Sequence, residues 1–244
     1  YAATMVLAAS TAVSGGVRLA LSGATLRLSH SVCRSQTIDV DAVAAVAVRG
    51  IVSKDLGLSM CSVALVQRLL ADEDAAQSVQ SAQLAAMRML ERIILDLTTP
   101  PDYVYYGVPC PWLQVKLVRL LQHFPPPTVP SEAELISTVL LKIAKATSKV
   151  VLDAQNQSEK RSGANNRCNC MVAVMVEVVS LALQWNSDGV LLNTCRDVLS
   201  MLITDKHSAN MRYLGLTLLT RLSFCTSSDL FSQQITKHST TIVV

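Results

Sequence analysis

Aromatic side chains are scarce in this chain: two tryptophans, five tyrosines and three phenylalanines among 244 residues. Half of the residues are nonetheless apolar, so the core has to be built from Ala, Val, Leu, Ile and Met. That palette suits helices packed small side chain against large, and there is enough of it for a sizeable core. With nine glycines and eight prolines, the chain is neither collagen-like nor of low complexity throughout. A dominant charge is missing as well, since 21 Lys and Arg face 18 Asp and Glu for a formal charge of +3. Such a balance makes no demand for nucleic acid as a partner.

Chemical signatures are equally thin. The chain has no glycine-rich phosphate loop ending in Lys-Ser/Thr, no G-x-S-x-G elbow and no H-E-x-x-H. His30, His123, His207 and His238 share no motif, and Asp39 and Asp41 have no paired motif beyond them. Cys168 and Cys170 flank one asparagine, but no second Cys/His pair follows at zinc-site spacing. The run Asp72-Glu73-Asp74 reads as a solvated turn. The residues therefore predict no catalytic group, no cofactor and no metal. Seven cysteines, odd in number and set in apolar helical surroundings such as SMCSVAL and NTCRDVL, read as reduced buried thiols rather than a disulfide framework. The opening YAATMVLAASTAVSGGVRLALSG lacks a basic start and is broken by Gly15-Gly16 and Arg18, so it reads as helices of a soluble domain, not a signal peptide. Lys116, Arg119, Lys160, Arg161, Lys206, Arg212 and Arg221 read as solvent-facing or ion-paired charge, because no basic stripe interleaved with aromatics accompanies them.

What is present is helical periodicity, repeated along the chain. Residues 60–71 put Met60, Val63, Ala64 and Leu70 on one stripe, and 79–97 do the same with Leu84, Met87, Leu90, Ile94 and Leu97. In 112–124, Leu113, Leu117, Leu120, Leu121 and Phe124 share a face that Lys116, Arg119 and Gln122 avoid. Pro111 fits the first turn of that helix, and Pro125-Pro126-Pro127 stops it. Ser131 and Glu134 form a capping-box pattern ahead of a helix over 131–146. Residues 170–185 are valine-rich but too long for a strand and predict a buried helix. Helices over 188–203 (Leu192, Cys195, Leu199, Leu202) and 209–223 (Met211, Leu214, Leu218, Leu222) follow. The polar stretch 153–169 reads as a flexible loop. Helices of similar length joined by short turns predict an all-α fold, a HEAT/armadillo-like right-handed α-solenoid of antiparallel helix pairs over 1–244. An irregular all-α domain is the competing architecture.

The stretch YYGVPCPWLQVKLVRLLQHFPPP, residues 105–127, carries a resemblance. Its double tyrosine Tyr105-Tyr106, its Pro109-Cys-Pro111-Trp112-Leu turn, its VKLVRLL helix and its three prolines resemble, in order and spacing, the middle of the trunk of alpha-adaptins. These are a family of large subunits of the AP-2 clathrin adaptor complex. Related large chains share the basic amphipathic helix without the double tyrosine and triple proline. Fainter likenesses lie at Gly23-Ala-Thr-Leu-Arg-Leu28, Lys54-Asp-Leu-Gly57, Leu191–Leu199 and Asn210–Leu216. The Ala, Ser and Val richness of 1–50 departs from the pattern, as does the absence of a strongly basic Pro/Lys-rich loop at 153–169.

The resemblance implies a HEAT-type solenoid and a non-enzymatic scaffold. It implies a beta-type adaptin with medium (mu) and small (sigma) chains as partners, and peripheral association with phosphoinositide-containing membrane through the full complex. Clathrin would be engaged indirectly, at coated pits on the cytoplasmic face of the plasma membrane. No lipid- or cargo-binding residue of the family carries over to a position here. The structural motif expected to matter comprises Tyr105, Tyr106, Pro109, Pro111, Trp112, Leu117, Leu120, Leu121 and Pro125. The three aromatics are expected to pack a joint between helix pairs, with Pro109 and Pro111 shaping the turn. If buried, Trp112 should cost about 3–5 kcal/mol on truncation to alanine. A helical-repeat protein of another transport pathway, or a helical accessory domain of an enzyme, would share the same periodicity.

Overall fold

The structure is a computed structural model, which describes residues 40–156, 162–187, 189–204 and 207–225. The expectations placed on the opening segment, on Gly23–Leu28, and on His30, Asp39, Lys160, Arg161, Lys206 and His238 lie outside the described residues. The chain groups into two compact units. One holds the residues up to Tyr103 together with Trp112–Glu132, and the other holds Val104–Pro111 with Ala133 onward.

The first unit begins with the hairpin of α1 (Val40–Ile51) and α2 (Leu56–Leu69). Ile51 and Val63 are fully buried, as is Ala44. The two helices approach so closely that a Cβ on Gly50 would stand 2.1 Å from Ser62 Oγ, which is why a glycine and a serine meet there. Asp55 starts α2 by accepting the amides of Gly57 (2.9 Å) and Leu58 (3.2 Å), two donors that the helix cannot satisfy itself. A single turn α3 (Glu73–Ala76) and a 3-10 turn lead to α4 (Ala82–Ile94). Arg92 of α4 reaches back and donates to the carbonyls of Val52 (3.0 Å) and Ser53 (2.6 Å), closing the C-terminal end of α1. After a 3-10 turn over Pro101–Tyr103 comes the hairpin of the second unit, β1 (Val104–Tyr105) and β2 (Val108–Pro109). The chain then forms α5 (Pro111–Leu121), which apart from its first residue groups with the first unit. Gln67 Nε2 of α2 donates to Lys116 O of α5 at 3.4 Å, and Gln83 Nε2 of α4 donates to Pro125 O at 2.6 Å.

The second unit is built on α6 (Pro130–Asn156, of which it holds the part from Ala133), α7 (Ser162–Gln184), α8 (Gly189–Leu202) and α9 (Ala209–Cys225). In α6 the buried stripe Ile136, Val139–Leu140, Ile143–Ala144, Thr147 and Val150–Val151 steps at three and four residues without a break. Thr147 keeps its hydroxyl satisfied by donating to Ile143 O at 2.9 Å, so a polar residue sits in the stripe at little cost. The C-terminal end of α7 shows why it stops. Asn186 takes φ +47°, Ser187 N donates to Ala182 O (2.9 Å) and Asn186 N to Leu183 O (3.2 Å), the paired bonds of a Schellman cap. The helix α7 is long and apolar enough to cross a membrane by length and composition, yet 56% of its most apolar window is buried against the rest of the protein. Gly215 brings α9 onto α8, since a Cβ there would lie 3.1 Å from Leu199 O.

Consecutive helices joined by short turns and packed as hairpins make this an all-α, solenoid-type fold. Several sequence expectations need correction. The stretch 153–169 is not a loop: residues 153–156 end α6 and 162–169 open α7, and only 157–161 lie outside the description. The α6 stripe runs past residue 146 to Val151, and that continuity carries the helix on. Helix α6 begins at Pro130 rather than being capped by Ser131, because proline's fixed φ suits a first helical position. Leu84 (39% exposed) and Leu97 (67%) are not core. Leu97 falls beyond the end of α4, at φ +54°. Ala64 is exposed, and Leu191 rather than Leu192 lies fully inside α8's packing.

Candidate functional site

The residues singled out at 105–125 fall into two physically different groups. Leu117, Leu120 and Leu121 are wholly buried in α5, alongside Leu113 and Val118. Their spacing gathers one buried apolar face, and Pro111, itself buried, opens the helix where a missing amide costs nothing. The helix ends at Leu121. His123 N and Phe124 N bond the carbonyls of Leu120 and Leu121 at 3.1 Å, and this tightened turn still buries Phe124. Pro125 is exposed and presents the carbonyl that Gln83 takes.

The aromatics behave otherwise. Tyr105 and Tyr106 end β1 and enter the turn, whose register pairs Val104 with Pro109 and Tyr105 with Val108. Tyr106 (φ +47°) and Gly107 (φ +77°) are the two central residues, both left-handed, as a type I′ turn requires. Glycine meets that demand freely, whereas the tyrosine holds a strained backbone costing about 1–3 kcal/mol. The reasoning that these aromatics fill a buried joint does not hold: Tyr105 is 38% exposed, Tyr106 45% and Trp112 55%. Val108 of β2, not the tyrosines, takes the buried position of the hairpin, and Trp112 stands on the side of α5 away from Leu117. Truncating Trp112 therefore removes less than half of the surface that a fully buried tryptophan would lose, and the full cost of about 3–5 kcal/mol for a buried tryptophan does not apply.

Tyr106 does have a defined place. Tyr105 meets it edge-on, with centroids 4.5 Å apart at 87°. Its ring also lies 3.5 Å from where a Cβ on Gly163 would sit, so it packs against the start of α7. Arg167, one turn further along α7, lays its guanidinium carbon 3.8 Å from the corresponding point on Gly107. The turn, the start of α7 and the end of α6 thus border an open pocket of about 500 Å³ that Tyr106, Val150, Asp153 and Arg167 help to line. No sequence motif pointed to it, because its residues come from three separate stretches.

The thiols are placed for inertness. Burial pushes the Cys168 and Cys170 thiols up, and it pushes Cys195, packed inside α8, up to about 12. Cys61, Cys168, Cys170 and Cys195 are reduced thiols. Among the described residues no group of three or more His, Cys, Asp or Glu converges as metal ligands would. His207 is drawn down by burial, beside Gln155 of α6. The Gln155 amide donates to Met201 O at 2.8 Å and to Thr204 Oγ1 at 3.1 Å, tying α6 to the end of α8.

No protein-family model matches the chain. Curated relatives do. The AP-2 complex subunit alpha-2 of Dictyostelium discoideum is 34% identical over 158 residues, 65% of this chain and 15% of that protein. The AP-2 complex subunits alpha-1 and alpha-2 of Arabidopsis thaliana are each 32% identical over 190 residues, 78% of this chain and 17% of theirs. The AP-2 complex subunit alpha of Schizosaccharomyces pombe is 32% identical over 141 residues, 57% of this chain and 14% of that protein. The chain thus spans less than a fifth of the length of the relatives it matches.

Proposed function

The chain belongs to the alpha-adaptin family, and from that premise we propose that it is a trunk segment of a clathrin adaptor large subunit, a non-enzymatic scaffold for adaptor assembly and cargo selection in endocytosis. The observation that carries the reading is the match of 190 residues to AP-2 alpha subunits in a chain built from consecutive helical hairpins. Buried leucines in α5 and capped, closely packed helices supply rigidity, and what a scaffold contributes is a surface held in fixed shape. The partners proposed are a beta-type adaptin and the medium (mu) and small (sigma) chains. Contact with phosphoinositide-containing membrane would be made through the whole complex and clathrin would be reached indirectly, at coated pits on the cytoplasmic face of the plasma membrane. The whole of 1–244 is read as one solenoid segment of that trunk.

The test is a pull-down of the tagged protein at native level, with the bound chains identified by mass spectrometry. Recovery of a beta-type adaptin with one medium and one small chain is the expected result. A folded, abundant bait that retrieves none of them sinks the adaptor assignment, and retrieval of nuclear-transport or other coat proteins replaces it with a different helical-repeat scaffold.

A further inference from the structure

Ser131, expected to cap α6, has no such part in the fold because the helix opens one residue earlier, at Pro130. Its side chain is exposed and makes no hydrogen bond among the described residues. Two carboxylates follow it, Glu132 directly and Glu134 three residues on, and neither forms an ion pair among the described residues. Residues 125–129 lie outside helix and strand, and no residue from 125 to 135 is buried. Ile136 is the first core side chain of α6. The opening turn of the helix can therefore unwind into an enzyme's cleft without exposing any of the core.

Spacing alone does not single this serine out. Among the described residues three hydroxyls have a carboxylate three positions on: Thr99 ahead of Asp102, Ser131 ahead of Glu134 and Thr194 ahead of Asp197. The structure separates them. Thr99 Oγ1 is buried. Thr194 donates its hydroxyl to Val190 O at 2.8 Å within α8, and Asp197 is held by Arg196 at 3.1 Å. Of the three, Ser131 is the one that offers a free hydroxyl followed by free carboxylates.

We infer that Ser131 is a phosphorylation site for an acidophilic protein kinase, one whose substrate cleft carries basic side chains that read Glu132 and Glu134. Charge-assisted hydrogen bonds to those two carboxylates set the serine in register. Ser131 Oγ attacks the γ-phosphorus of ATP, and the bond from that phosphorus to the bridging oxygen breaks. ADP leaves, and the hydroxyl proton passes to the kinase's catalytic carboxylate. The phosphate then stands in the first turn of α6, beside amides that have no carbonyl partner within the helix. It tightens the very turn that had to open for the reaction. The inference is independent of the adaptor reading, since it concerns one exposed segment of the chain.

The test treats the whole 244-residue chain with MgATP and an acidophilic kinase of the casein-kinase class, following each hydroxyl by peptide mass spectrometry. Ser131 should be modified about tenfold faster than Thr99 or Thr194. Glu134→Gln, a change at an exposed position, should slow Ser131 by about tenfold while the thermal melt stays at the parent value. Amides 132–134 should exchange with deuterium more slowly after phosphorylation, and Ser131→Ala given the same treatment should show no such slowing. No phosphate at Ser131, while a reference acidic peptide is fully modified, overturns the inference, as does equal speed with and without Glu134. Faster modification of Thr99 or Thr194 overturns the choice of Ser131 by its free hydroxyl. Unchanged or faster exchange at 132–134 overturns the tightening of the first turn.

Discussion

The strand-and-turn residues 104–106 and the leucine face of the helix at 111–121 lie in one continuous stretch of chain and differ in the fate of their apolar side chains, while Val108 of β2 is buried like the leucines. In α5, Leu113, Leu117, Leu120 and Leu121 are no more than 1% exposed, whereas Val104, Tyr105 and Tyr106 of the hairpin stand at 38% or more. Composition does not separate them, for the hairpin is the more aromatic of the two. Geometry does. A helix of three turns gathers every third or fourth side chain onto one stripe, so apolarity at that spacing converts into burial. Two paired residues on either side of a tight turn have no such stripe, and their side chains go wherever the next element leaves room.

The sharpest way to break the comparison is to truncate one member of each group. Leu117→Ala should lose about 2–5 kcal/mol of unfolding free energy in urea titration, because the removed atoms leave a cavity in a fully packed site. Trp112→Ala, one helical face away and larger, should cost less than Leu117→Ala, since more than half of the tryptophan is already exposed. If the tryptophan proved the costlier of the two, the burial contrast would be wrong.

How far the chain could be read beforehand follows the same division. The α5 stripe, the buried helix over 170–185 and the succession of hairpins are all visible as periodic leucine and valine, since long helices write their packing into spacing. The extension of α6 past residue 146 is also written there, in Val150 and Val151, but the polar residues interleaved with them masked it. The placing of Tyr106 was not readable, because this turn side chain meets a partner far off in sequence, Gly163 of α7. The pocket was hidden for the same reason.

A smaller effect tests close helix approach as a second route to tight packing. Gly50→Ala pushes a methyl into Ser62 and should cost about 1–3 kcal/mol, with Gly215→Ala against Leu199 and Leu202 of similar size. Gly189→Ala, where nothing lies within 4 Å, serves as the control and should be neutral within about 0.5 kcal/mol. Removing the α2 cap by Asp55→Ala should cost about 1 kcal/mol, measurable as a lowered denaturation midpoint at unchanged slope. The least disruptive test is chemical. At pH 8 a maleimide should label Cys61 before Cys195, whose thiol sits at about 12, and unfolding should erase the difference.

Arg92 has a consequence for mechanics. By gripping the carbonyls of Val52 and Ser53 from a helix about forty positions later, it makes the α1–α2 elbow depend on α4 being docked. A row of stacked hairpins flexes most readily at its elbows, where backbone groups face water and little else restrains them. This elbow is pinned from the next layer, so under load it should move together with α4 as a single piece. Bending at this elbow would have to carry α4 with it, so the elbow is a poor hinge for the unit.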